Sequence, residues 1–169
     1  MFANTRTKLG RFIKTGKKTT YPQLLPLFIK NRLNAYPPFV GAGIRVRTLD
    51  FDNGLCVVEL PLTRLNRYTD GTQFTGSIMM MTEPLLKIML MHRLGKDYLV
   101  ADKQATVEFL DKATSSLTAR LKIDTAEILQ IMDAVKSGDT VRSYTIDITD
   151  NQQKIVAKVT KTLAITAKK

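Results

Sequence analysis

From Ile78 to Met91 the chain is apolar on nearly every side, with Thr82, Glu83 and Lys87 interrupting the run. A surface helix shows one apolar stripe, whereas a helix apolar all round is normally buried. The stretch Thr72 to Leu94 therefore predicts a core helix. About 20 residues correspond to roughly 30 Å of helix. Glu83 follows Gly76 by seven residues, which in an unbroken helix puts both on one face, two turns apart. Glu83, Pro84 and Lys87 at the centre count against a membrane span, because each central charge is costly in a bilayer.

Patterning on either side supplies the remaining elements. Tyr21 to Tyr36 predicts a short helix with Leu24, Leu27, Phe28 and Leu33 on its apolar side, ended by Pro37-Pro38. It would pack on the outside of the core or on a partner subunit. From Phe39 to Leu49 the period changes to two, with Ile44, Val46 and Thr48 opposed to Arg45, Arg47 and Leu49. The Asn-Gly turn in Asp50–Gly54 and the run Leu55–Leu62 complete a β-hairpin. Thr63–Gly71 is a polar loop leading into the central helix, and Gly95 is its stop.

Tyr98–Leu110 predicts a long strand with Ala105, Val107 and Phe109 on one side, and Ser115–Ile123 another. Asp124–Gly138 predicts a second helix, with Asp124 and Glu127 spaced as a capping box. Thr140–Thr149 and Ile155–Ile165 are the last strands; Ile155, Ala157 and Val159 share a face. Consecutive strands favour antiparallel pairing, and a doubly wound sheet would need a helix between every strand pair. The expected class is α+β: a curved antiparallel sheet of about six strands wrapped around the long central helix, with an extra N-terminal helix.

Composition narrows the function classes. The 169 residues suggest one domain at 21–169 with a real core, preceded by a basic arm at 1–20. One cysteine, Cys56, excludes an internal disulfide and a cysteine-based zinc site, and one histidine, His92, excludes multi-histidine metal sites. A reducing, cytoplasmic compartment is the expectation. The net charge is +11, yet residues 1–49 hold ten Lys/Arg and no Asp/Glu, while the rest is nearly neutral. A nucleic-acid-binding body would spread basic residues over a folded face, so no specific nucleic acid is expected. The arm could make a weak contact with an anionic membrane.

The segment Asn66-Arg-Tyr-Thr-Asp-Gly71-Thr-Gln73-Phe-Thr-Gly76-Ser, followed by Glu83, resembles the signature of phenylacetate-type acyl-CoA thioesterases of the hotdog fold. The strings PPFVGAGIRV, NRYTDGTQFTGSIMMMTEP and KTLAI are similar to an uncharacterised thioesterase-like family of that superfamily, a domain of unknown function, over residues 21–166. Gln73 stands near where that signature has histidine, and Thr75 where it has its first glycine.

The resemblance implies a hotdog fold, a homodimer or tetramer, and an acyl-CoA or related thioester as substrate. No cofactor and no metal are expected. Glu83 would be general base or nucleophile. The N–H groups of Thr75, Gly76 and Ser77 would form an oxyanion hole, with Gly76 admitting the substrate to the backbone. Asn66 or Gln73 would orient the water or the thioester, and Met80 belongs to a methionine cluster suited to an acyl tunnel. Blander readings stand beside these: a Glu83–Lys87 ion pair, close helix packing at Gly76, turn chemistry at Asn66 and Asp70, and core packing for the cluster Met79-Met80-Met81, Met89 and Met91. A non-catalytic acyl-CoA or lipid-binding protein is the alternative function. A hydratase pairing Glu83 with His92 is disfavoured, since nine residues separate them by about half a turn around the helix.

Overall fold

The computed structural model describes residues 21–168; the basic arm at 1–20 lies outside them. The elements are α1 (Tyr21–Asn34), α2 (Pro37–Ala42), β1 (Arg45–Asp50), β2 (Leu55–Leu60), α3 (Thr75–Met80), α4 (Leu85–Leu94), β3 (Tyr98–Phe109), β4 (Leu117–Lys122), α5 (Thr125–Lys136), β5 (Thr140–Thr149) and β6 (Ile155–Ala167). The strands form one antiparallel sheet in the order β1-β2-β4-β5-β6-β3. Ile78, Met81, Leu85, Leu86, Met89 and Leu90 of the central helical stretch are buried together with Val58, Leu60, Leu117, Leu121, Ile148 and Leu163 of the sheet. One sheet face is thus filled by the apolar helix, as its all-round patterning required.

That helix runs in two segments. α3 ends at Met80, residues 81–84 form a turn, and α4 begins at Leu85. Pro84 accounts for the break: it lacks an N–H, and it disfavours helical backbone at Glu83 before it. Glu83 therefore sits on an irregular turn, and the shared face with Gly76 expected of an unbroken helix does not apply.

Other boundaries also moved. Pro37 and Pro38 open α2 as its first residues, where a missing N–H costs nothing. Gly43 caps α2 with φ 79°, and the strand starts only at Arg45. A bulge between Val46 and Thr48 shifts the phase of β1, so Leu49 is buried and Thr48 exposed. Asp124 makes no capping bond; Glu127 instead accepts from Tyr144 Oη at 3.0 Å and pairs with Arg142 at 3.3 Å.

The two sheet edges differ. Asn34 of α1 donates to the Val46 carbonyl (3.0 Å) and accepts from the Val46 N–H (2.7 Å), so a side chain pairs part of the β1 edge. Among the described residues β3 pairs with β6 alone, and nearly all of its residues are exposed or half-buried, including Leu99, Phe109 and, of the trio expected on one face, Ala105. No helix among the described residues is long and apolar enough to cross a membrane.

Candidate functional site

The loop before α3 is a closed polar structure. Asn66 is 3% exposed. Its Oδ1 accepts from Thr63 N–H and Thr63 Oγ1, both at 2.8 Å, and its Nδ2 donates to the Pro61 carbonyl at 2.8 Å. Gln73, also buried, bonds through its backbone N–H to the Ala113 carbonyl at 2.8 Å, and its Nε2 donates to the Leu60 carbonyl at 2.9 Å. These two side chains tie the loop to β2 and to the segment before β4. Asn66 follows the turn reading, and its bonds hold it in the fold. Among the described residues the buried oxygens Gln73 Oε1 and Thr82 Oγ1 have no partner.

At the start of α3 the N–H of Ser77 is taken by the Phe74 carbonyl at 3.0 Å. No acceptor is recorded for the N–H groups of Thr75 and Gly76 among the described residues. The expected three donors are thus two. The space a Cβ would fill at Gly76 is occupied by the ring of Phe74. That ring is edge-on to Tyr68 (centroids 5.5 Å apart), whose Oη lies 2.8 Å from Thr75 Oγ1. In this conformation glycine admits an aromatic side chain of the same chain over the helix start. Met80 is partly buried against the core.

Glu83 has a partner that patterning along the helix did not suggest. Lys87 does not pair with it but with Asp102 Oδ2 of β3, at 3.4 Å. Lys161 of β6 reaches both carboxylates: its Nζ bonds Glu83 Oε1 and lies 2.8 Å from Asp102 Oδ1. Lys161 is 1% exposed, whereas the Glu83 side chain is 41% exposed. Burial would raise the Asp102 carboxyl, but its hydrogen bond and charge contact with Lys161, aided by Lys87, hold it below the usual carboxylate range. The signal for Lys161 was in the alternation: positions 159, 163 and 165 of β6 are buried apolar residues, and 161 lies in phase with them.

Next to Glu83, Pro84 forms one wall of an open groove of about 420 Å³. Phe28, Ile29, Leu33 and Tyr36 of the first helix and its connector form the other, with Arg32 as the charged lining group. His92, far along α4, stacks on Phe51 with ring centroids 3.9 Å apart. Cys56 is fully buried, which pushes its thiol up to about 12.

The chain is similar in structure to a Pseudomonas aeruginosa protein of unknown function described as a probable thioesterase, with TM-score 0.72 and 20% identity over 85% of this chain and 97% of that one. It is also similar to a Haemophilus influenzae thioesterase, with TM-score 0.62 and 17% identity over 89% and 93% of the two chains. A Shewanella oneidensis protein with a provisional thioesterase assignment gives TM-score 0.61 at 16% identity, over 85% and 99%. At such identities the likeness shows the fold, which is the hotdog fold. No curated protein matches the sequence. The family model described as a domain of unknown function, DUF4442, matches residues 26–165, and the chain belongs to that family.

Proposed function

We propose that the protein hydrolyses an acyl thioester, of which an acyl-CoA is the best-fitting class. The observation that carries this reading is Glu83: one oxygen is bound by a buried ammonium, the side chain is partly open to solvent, and an apolar groove begins at the next residue. A carboxylate so held can accept a proton from water as the water oxygen bonds to the thioester carbonyl carbon. The N–H groups of Thr75 and Gly76, without a partner among the described residues, offer donors to the oxyanion that develops. When the intermediate collapses, the C–S bond breaks and the proton on Glu83 passes to the thiolate sulfur. The products are a carboxylic acid and a free thiol. In the groove, Phe28, Leu33 and Tyr36 suit an acyl chain, and partly buried Met80 can adapt to its length. Ser77, buried beneath the helix start, supports the donors beside it. Asn66 and Gln73 act by bracing the loop that presents those donors.

The β3 edge, unpaired among the described residues, supports a homodimer, since an unpaired strand is a template for a second copy. The Phe74 ring over Gly76 favours a second reading, an acyl-CoA or lipid-binding protein without turnover, because the ring stands where a thioester would meet the backbone.

The test is thiol release from a panel of acyl-CoAs of different chain length by wild type and Glu83→Gln. Hydrolysis by wild type, with a loss of roughly 10³-fold in the variant at unchanged fold, is expected for a removed general base. Equal rates in the two would exclude Glu83 from the mechanism. Binding without turnover by wild type would select the second reading.

A further inference from the structure

We infer that Lys161 is a positioning residue that grips one oxygen of Glu83 and leaves the other free to react. The inference rests on the hydrolytic reading for what Glu83 does, but not for how Glu83 is held.

Lys161 is anchored on both sides. On β6 it pairs in register with Tyr144 of β5 and Ala105 of β3, so its Cα cannot shift without disturbing two ladders. Its side chain stands in line with Val159 and Leu163, both 1% exposed or less. A lone ammonium at such a position is costly unless paired, and a well-packed apolar side chain there would often be as stable or more so. The core has no need of a charge at this point. What the charge does there is reach the turn between α3 and α4.

Glu83 lies on that turn, its N–H bonded to the Met80 carbonyl at 3.0 Å and its side chain 41% exposed. Lys161 is the sole partner recorded for its carboxylate among the described residues. Only Oε1 is engaged; Oε2 has no recorded partner and the side chain is 41% exposed. The grip and the reactive atom are thus on different oxygens of one group. The surrounding charges come from three elements: Lys161 on β6, Asp102 on β3 and Lys87 on α4, while Arg32 of α1 lines the groove beyond Pro84. Lys161 and Lys87 balance Glu83 and Asp102. Asp102 shares the ammonium and prevents Glu83 from being its only counter-ion. A fixed, half-satisfied carboxylate next in the chain to Pro84, which lines an apolar groove, is an arrangement suited to directing one water molecule.

The test combines turnover with a readout of Glu83 that needs no activity, the side-chain carboxyl carbon resonance in glutamate-labelled protein, identified by its loss in Glu83→Gln. In Lys161→Met, kcat is expected to fall roughly 10²-fold, the size of effect that misplacing a reacting group by about 1 Å produces, while KM stays within about twofold because the groove is untouched. The Glu83 resonance should move in Lys161→Met and return toward its wild-type position in Lys161→Arg, with kcat partly restored. A folded Lys161→Met protein with wild-type kcat, or with an unmoved Glu83 resonance, overturns the inference. If that variant does not fold, Asp102→Asn at the surface replaces it: both carboxylates share one ammonium, so the Glu83 resonance should shift there, and an unmoved resonance overturns the inference. Wild-type protein that hydrolyses no thioester, while the resonance still responds to Lys161, would end the hydrolytic reading and leave the positioning intact.

Discussion

The loop from Thr63 to Gln73 and the turn from Met81 to Pro84 flank the same short helix, and they use polar residues in opposite ways. In the loop, Asn66 spends its amide oxygen and one amide hydrogen on its own neighbours, and Gln73 donates to two carbonyls. In the turn, Glu83 spends one oxygen on a lysine of β6, 78 residues away in the chain, and among the described residues keeps the other unpartnered. A polar group whose bonds are all internal holds a shape. A polar group held on one side and open on the other can do chemistry. On the proposed reading, the residues resembling a catalytic signature divide into scaffold and site; among the described residues Gln73 Oε1, buried and without a partner, is the loop atom that does not follow the division.

Variants that sever the two regions should separate these roles. The largest effect is the one already stated for Glu83→Gln, a loss of roughly 10³-fold in rate; it should lower the melting midpoint only modestly, because the amide oxygen can still accept from Lys161 and the buried ammonium keeps Asp102 as its counter-ion. Asn66→Ala should do the reverse. It removes the partner of the Thr63 N–H and of the Pro61 carbonyl, groups on an exposed and a half-buried residue, and losing both bonds costs about 1–2 kcal/mol in total. Urea denaturation should show that loss, while turnover per folded molecule falls far less than in Glu83→Gln, because Asn66 braces the loop and touches no reacting atom. If Asn66→Ala stayed stable and lost activity, the division drawn here would be wrong.

Gly76→Ala probes the boundary between the two regions. The new methyl group must displace the Phe74 ring, which is half exposed and able to swing aside. The gain from replacing glycine in a helix, about 0.5–1 kcal/mol, offsets part of the strain. The net stability change should lie within about 1 kcal/mol in the same urea measurement. Turnover should fall by about tenfold if the Thr75 and Gly76 N–H groups serve the oxyanion, since a crowded donor is weaker than a deleted one. Unchanged turnover would remove those donors from the reaction.

The smallest effect expected is on acid stability. Asp102 has its folded-state value depressed by Lys161 and Lys87 despite the opposing effect of burial. Its contribution is therefore fully present above the unfolded carboxylate value of about 3.9, and is lost as pH falls through the lower folded value. The stability difference between wild type and Asp102→Asn should be constant from neutral pH down to about 4–5 and then shrink. Denaturant midpoints measured from pH 7 to pH 2 would show it. A difference that grew on acidification would contradict the pairing.

Much of the fold was legible because it follows from short-range rules. Period-two runs marked the strands, the Asn-Gly pair marked the first hairpin, and the all-round apolar stretch marked the helix that the sheet encloses. The misplaced boundaries came from prolines and bulges. Pro84 breaks the central helix by its own chemistry, and that signal was present in the sequence. The bulge in β1 is set by its pairing with β2, which no local pattern along β1 reveals.

By itself, the amino-acid order determined the α+β class, the buried central helix and the identity of Glu83 as the acid to consider. Only the tertiary structure decided what Glu83 touches. Its expected partner, Lys87, lay one helical turn away, but the break at Pro84 removed that geometry and Asp102 took the lysine. Its actual partner is 78 residues distant in the chain. That contact exists because β6 lies inside the sheet between β5 and β3 and turns residue 161 toward the core. Local periodicity tells which way a side chain points; which strand lies opposite is settled by the packing of the whole sheet around the helix.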